Sequence, residues 1–305
     1  MLESEIIDDI KILCQGVFDG NFDVTIGDDC AVRKRIKSGN LLLSADISIE
    51  DVHFSRKYMS LYEIGYKSAV SNLSDIAAMG ATPDFFVVSL AFPADFSKRD
   101  VLQIYEGIVA AAAEYQTPIV GGDLSKSDKI IVSITIGAIS GKRVLRRNGA
   151  KVGDNVWVCG FPGMSGLGFS LLQEHGRKEA EKICGEAVLA HIRPKARIEL
   201  GKYLSNNELV HSCIDISDGV AKEIRTIAKE SGAGAQILSP KDNAGFFFNG
   251  GEDYELLWTA DKSFEPIFDG IDFSKIGEII SEKEIFLLEN GVKKPLEFFG
   301  FEHYK

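Results

Sequence analysis

The chain has 305 residues, 45% of them hydrophobic and 26% charged, with 30 Gly and 8 Pro; this is globular composition and excludes disorder, collagen-like repeats and low-complexity scaffolds. The length accommodates two domains of about 150 residues, each able to bury a core. With 34 Lys+Arg against 45 Asp+Glu and a net charge of -11, the basic footprint of a nucleic-acid partner is missing, and no apolar run approaches the roughly 20 residues that cross a bilayer.

Residues 1–20 read as an amphipathic helix with Ile6, Ile7, Ile10 and Leu13 on one face. That start is acidic and has neither a basic n-region nor a cleavage site, so no signal peptide is expected and cytoplasmic residence is the default. Leu41 to Ser44 is a short apolar strand ending at Asp46, and Ser60 to Met79 a long helix stopped by Gly80. Phe85 to Ala91 is a strand closed by Pro93, and Ser97 caps a helix over Val101 to Tyr115. Pro118-Ile119-Val120 runs into Gly121-Gly122-Asp123, and Lys129 to Ile139 alternates as a strand. The basic stretch from Gly141 to Gly153 marks a boundary, giving an N-terminal domain over 1–143 and a C-terminal domain over 144–305. A second cycle follows: strand Asn155 to Cys159, a Gly-rich turn over Gly160 to Gly168, helices through Leu204, strand Leu209 to Ile214, helix Val220 to Ser231, strand Tyr254 to Ala260 and a strand-rich tail. This is a mixed α/β (α+β) order.

The chain has 5 cysteines, Cys14, Cys30, Cys159, Cys184 and Cys213, with no C-x-x-C pair. His211-x-Cys213 is too little for a zinc site, and reduced core thiols are the expected reading.

The informative feature is recurrent. Apolar strands end in small residues followed by aspartate: Ile26-Gly27-Asp28-Asp29, Leu43-Ser44-Ala45-Asp46, Val120-Gly121-Gly122-Asp123 and Ile214-Asp215-Ile216-Ser217-Asp218-Gly219. Asp75 joins them from a helix whose stripe is Ser68, Ser71 and Asn72. Such carboxylates repel and cannot converge without a partner. A hard divalent cation with oxygen ligands, Mg2+ together with substrate phosphates, resolves the conflict. Each piece also has a plainer reading: a Gly-Asp turn, a helix cap at Asp215 to Gly219, a solvated helix face at Asp75. The turn Gly160 to Gly168 is either a phosphate cradle or a helix entry. Arg146-Arg147 is either a phosphate clamp or a basic linker. No Walker P-loop, dinucleotide fingerprint, kinase signature or nucleophile elbow is present, and no His–Asp pair stands out.

Taken in order, IGDDCAV, LLLSAD, DVHF, SNLSDIAAMGA, GGD, RRNGAKVGD, DISDG and GGEDYEL resemble the thiamine-monophosphate kinases. That family belongs to a superfamily with aminoimidazole ribonucleotide synthetase, selenophosphate synthetase and a hydrogenase-maturation protein. The resemblance implies a two-domain aminoimidazole ribonucleotide synthetase-like fold whose N-terminal sheets pair into a barrel in a homodimer. It implies transfer of the ATP γ-phosphoryl group to thiamine monophosphate with Mg2+, with Asp75, Asp123, Arg147 and Asp215 as catalytic positions. Asp28, Ser44, Ala45, Asp46, Asp75, Asp123, Asp215 and Asp218 match metal positions. Tyr105, Gly122, Asp123, Arg147 and Ser217 match nucleotide contacts, and His53, Glu252 and Phe301 match acceptor contacts.

Two departures stand out: Ala45 replaces a threonine, and the stretch from Ala235 to Gly250 is shorter than usual. A related enzyme acting on another acceptor and a non-catalytic nucleotide-binding regulator stand as alternatives. The selenium branch lacks its Gly-rich N-terminal cysteine here, and the hydrogenase-maturation branch lacks its C-terminal cysteine.

Overall fold

The structure, a computed structural model, describes residues 3–17, 20–26, 31–34, 36–240, 243–289 and 291–302. The chain divides into two compact units. One comprises Met1–Ile76 and Ala81–Ser140; the other Ala77–Gly80 and Gly141–Lys305.

In the first unit, α1 (Glu3–Cys14) ends in a 3-10 turn, and β1 (Phe22–Val24) pairs with β2 (Val32–Arg33). Then follow β3 (Leu41–Ile49), α2 (Leu61–Ala78), β4 (Ala81–Phe92), α3 (Lys98–Glu114), β5 (Ile119–Lys126) and β6 (Ile131–Ser140). The last residues of α2 belong to the second unit. The sheet order is β3-β6-β4-β5. β3 is longer than its short apolar run, because it pairs with β6 without a break from Leu41↔Ile139 to Ile49↔Ile131. Ser97 and Asp100 form a reciprocal capping box on α3, as the sequence predicts. Ser60 and Glu63 exchange the same pair of bonds ahead of α2. Each such cap contributes about 1 kcal/mol.

The core of this unit comprises the buried Ile64, Val70, Leu73, Ile104 and Ile108 of the helices and Phe86, Val88, Ile134 and Ile136 of the strands. Helices α2 and α3 touch through glycine. A Cβ at Gly65 would stand 2.0 Å from the Ile104 carbonyl, and one at Gly107 1.9 Å from that of Tyr62. Arg33 on β2 forks onto Asp84 at 2.6 and 2.8 Å, tying the hairpin to the bulge in β4.

The second unit runs β7 (Asn155–Cys159), α4 (Met164–Ile192, broken at Gly176 and Cys184), α5 (Ile198–Ser205), β8 (Val210–Asp215), α6 (Val220–Ser231), β9 (Gly234–Leu238), α7 (Ala244–Asn249), β10 (Leu256–Ala260), β11 (Phe273–Ile280), β12 (Ile285–Glu289) and β13 (Val292–Pro295). Its sheet order is β13-β12-β9-β11-β7-β10-β8. Val156, Val158, Ile214 and Leu257 pack with Ile224, Ile227 and Phe248 in one core. β7 and β8 both run antiparallel to β10. The C-terminal ends of β7 and β8 and the start of β10 therefore share one edge of the sheet, and that edge carries the loops 160–163, 216–219 and 250–255.

None of the four described cysteines forms a disulfide; Cys14, Cys159 and Cys213 are buried. No helix among the described residues is long and apolar enough to cross a membrane.

Candidate active site

Alternation along β3 turns Ser44 and Asp46 to the sheltered face and Leu43, Ala45 and Ile47 to the open one. Ser44 Oγ donates to Asp75 Oδ2, and the Asp46 amide donates to Asn72 Oδ1 at 3.2 Å. The small polar stripe of α2 is buried at Ser68, Ser71 and Asn72, so it is a packed polar surface and not a solvated face. Burial first, then the charge of Asp75, pushes the Asp46 carboxyl up to about 6, against a lowering bond from Ser71. Two repelling carboxylates with a hydroxyl beside them are hard-oxygen donors suited to Mg2+. Among the described residues no group of three or more His, Cys, Asp or Glu could hold a metal. Mg2+ nevertheless needs few carboxylates, because it retains waters and phosphate oxygens. Asp28 lies outside the described residues. The methyl of Ala45 offers no ligand, which leaves its carbonyl.

Gly122 and Asp123 lie exposed on β5, at the far edge of the same sheet. A Cβ at Gly122 would meet the Val88 carbonyl at 1.9 Å, so only glycine lets β5 lie this close to β4. Tyr105 is buried on α3. Burial, then the nearby Cys14 and Asp123, raises its phenol well above the usual range. His53 closes a turn after β3: its Nδ1 accepts from the Ile49 amide at 3.1 Å, which leaves the ring proton on Nε2.

On the second unit, Asp215 ends β8 and is buried, opposite Leu256 in the register. Ser217 and Asp218 follow, half-buried. Lys222 Nζ lies 2.7 Å from Asp218 Oδ2 and donates to the Phe301 carbonyl at 3.1 Å. The Phe301 amide donates to the Asp218 carbonyl at 2.9 Å, and the residue is 48% exposed. Glu252 is joined to the same loop, its amide donating to the Ser217 carbonyl at 2.7 Å. Glu252 and Tyr254 hold positive φ, 62° and 53°. Such strain persists only where the surroundings impose it.

Between Glu252 and Tyr254 stands Asp253, which the motif reading missed. Its carboxylate accepts from the amides of Gly163 at 2.7 Å and Ser165 at 2.9 Å. The anion held by the turn after β7 is thus the protein's own side chain and not a phosphate. The acidic run GGEDYE beside a Gly-rich helix entry was the available signal. Burial pushes the Asp253 carboxyl up to about 7, against the pull of those two amides.

Arg147 is exposed on the segment beside β8, where the Cys213 amide donates to the Arg146 carbonyl at 2.9 Å. Its charge reaches the buried Glu223, which accepts from the Asp218 amide at 3.1 Å. A His–Asp pair does exist: His211 Nδ1 lies 2.9 Å from both Asp154 oxygens, with Lys151 Nζ 2.9 Å from Nε2. Both ring nitrogens are engaged within the protein, so the pair ties 151–154 to β8 and is no general base.

Two family models match in series: AIR synthase related protein, N-terminal domain, over residues 27–140, and AIR synthase related protein, C-terminal domain, over residues 151–288. The thiamine-monophosphate kinase of Bacillus subtilis (strain 168) is 33% identical over 93% of this chain and 94% of its own length. The chain belongs to the thiamine-monophosphate kinase family. Among solved structures of the family, that from Stenotrophomonas maltophilia K279a matches with a TM-score of 0.82 at 26% identity, covering 94% of this chain and 96% of its own. AaThiL complexed with AMPPCP and TMP matches with a TM-score of 0.79 at 31% identity, covering 100% of this chain and 99% of its own. The family's two-domain mixed α/β fold is the fold of this chain.

Proposed function

We infer that the protein phosphorylates thiamine monophosphate with ATP, giving thiamine diphosphate and ADP. The observation that carries this reading is the end-to-end match to AaThiL complexed with AMPPCP and TMP, supported by relatives of the same name over nine-tenths of the chain.

The acceptor phosphate is already anionic at neutral pH, so the nucleophile needs no strong base. The obstacle is repulsion between two polyanions. Mg2+ held by Asp28, Ser44, Asp46, Asp75, Asp123, Asp215, Asp218 and the carbonyl of Ala45 would neutralise that charge. Arg147 brings a planar fork of donors to the nucleotide phosphates. Ser217 offers a hydroxyl to the nucleotide, and Gly122 and Tyr105 flank Asp123 as further nucleotide contacts. On the acceptor side, His53 Nε2–H donates, the Glu252 carboxylate accepts, and the Phe301 ring stacks on the cationic thiazolium. Transfer is direct and in line, without a phosphoenzyme. The protein works in the cytoplasm, where its co-substrate ATP is made.

A homodimer fits the first unit. Leu41, Leu43 and Ile47 are 49%, 64% and 51% exposed on one face of an edge strand. Unpaired edges and an open apolar face call for a cover. Two copies closing their sheets into a barrel supply it.

ADP release coupled to a reporter enzyme, with and without thiamine monophosphate, tests the reading. Release that needs the acceptor is expected. Release indifferent to thiamine monophosphate points to another acceptor, and none at all to a nucleotide-binding regulator.

A further inference from the structure

The stretch from Ala235 to Gly250 is short, yet it reaches the C-terminal tail. It carries most of β9 and the six-residue α7. Phe248 seats that helix: it is fully buried and stacks on Phe298 of the tail at a centroid distance of 4.9 Å. Asn249, the last residue of α7, takes the tail further. Its Oδ1 accepts from the Phe299 amide at 3.1 Å and from the Gly300 amide at 3.0 Å. The next amide, that of Phe301, goes to the Asp218 carbonyl at 2.9 Å. Three consecutive amides outside any strand are thereby satisfied. The approach is close, since a Cβ at Gly300 (φ 79°) would stand 2.7 Å from that same carbonyl. Gly250-Gly251-Glu252 follows Asn249 directly, so one residue ties the tail to the loop that carries Glu252.

We propose that Asn249 is a positioning residue for Phe301 and so sets affinity for the cationic, aromatic end of the acceptor. The proposal rests on Phe301 being an acceptor contact in the reading above. A stacking ring on loose backbone must be ordered at the moment of binding, and that cost comes out of affinity. The two amides on Oδ1 belong to the two residues before Phe301, so they fix the direction in which the chain enters it. The loop with Asp215, Ser217 and Asp218 has anchors of its own. The Ile216 amide donates to the Glu255 carbonyl at 2.8 Å, and the Asp218 amide to Glu223 at 3.1 Å. Releasing the tail at Asn249 therefore weakens the hold on the acceptor and spares the nucleotide side. Asn249 is itself exposed, so its replacement leaves the core intact.

Hydrogen exchange and steady-state kinetics on the full chain test this, with the wild type measured first. Asn249→Ala should speed exchange at the amides of Phe299 and Gly300 about fivefold, the worth of one hydrogen bond, with the rest of the chain unchanged. It should raise the KM for thiamine monophosphate by about the same factor, while the KM for ATP stays within about twofold. Asn249→Asp keeps an oxygen in the same place and should restore slow exchange. In a Phe301→Ala background, Asn249→Ala should add almost nothing to the acceptor KM, because the ring it positions is gone. Unchanged exchange in the tail, equal rises in both KM values, or full additivity with Phe301→Ala overturns the proposal. A wild type whose tail exchanges slowly but which does not phosphorylate thiamine monophosphate refutes the functional reading itself, and the proposal falls with it.

Discussion

Asp46 on β3 and Gly122 on β5 occupy one register row of the four-stranded sheet, joined through Ile134 and Val88. They are at opposite edges, three strand spacings apart, or about 14 Å. Asp46 and Asp123 of one chain are therefore too far apart to share a cation directly. Edge-to-edge closure of two sheets, β3 of one copy beside β5 of the other, would reunite them across a twofold axis.

Subunit mixing tests that arrangement. Asp46→Asn and Asp123→Asn should each be nearly inactive alone. Co-expressed, they should regain roughly a quarter of wild-type turnover, because half the dimers are mixed and each carries one intact site. A mixture as inactive as its parents contradicts shared sites.

Asp75→Asn separates function from stability. The substitution removes the charge that helps raise Asp46, so melting should not fall, whereas turnover at saturating Mg2+ should drop by orders of magnitude. Near-normal turnover, read beside the melting curve, counts against the metal assignment.

Much of this was legible in the sequence, for local reasons. The span Val220 to Ser231 and strand Asn155 to Cys159 carry their own pattern and stops, and the structure keeps both. Ser97 announced its helix through its own hydroxyl and Asp100. The unusual stripe of Ser71, Asn72 and Asp75 on α2 pointed to a close-packed polar surface, and Ser71 and Asn72 are buried. What escaped depends on partners distant in the chain. β9 is a strand because β11 and β12 flank it, and α7 forms where Phe248 enters the core. Asp253 was hidden because its role depends on amides 90 and 88 positions away. The pairing of His211 with Asp154 escaped for the same reason.

The Asp253 carboxyl carries a pH signature. Its folded value of about 7 lies above the ordinary 3.8, so the folded state binds its proton more tightly than the unfolded state. Its contribution to stability is full below about 3.8 and is lost as pH rises to 7, at about 1.4 kcal/mol per unit as an upper bound. Asp253→Asn leaves one of two buried amides unpaired, a cost of about 1–3 kcal/mol that does not vary with pH. The stability gap between wild type and variant, from urea unfolding at pH 5 and pH 8, should therefore be smaller at pH 8. A gap that widens with pH contradicts the assignment.

The C-terminal tail is held by backbone bonds from Phe299, Gly300 and Phe301 and by one ammonium. Lys222 bridges Asp218 at 2.7 Å and the Phe301 carbonyl at 3.1 Å. Phe301→Ala should raise the acceptor KM more than the ATP KM, and Lys222→Met should do so more weakly by loosening the tail. Steady-state kinetics showing the reverse order, with ATP the more affected, reject an acceptor role for the ring.

The most direct measurement follows the phosphoryl group itself. With ATP labelled in the γ position, Mg2+ and thiamine monophosphate, rapid quench should show label passing into thiamine diphosphate one-for-one with ADP and none bound to protein. Label trapped on an aspartate at a catalytic rate, or ADP formed without labelled thiamine diphosphate, would contradict direct transfer to this acceptor.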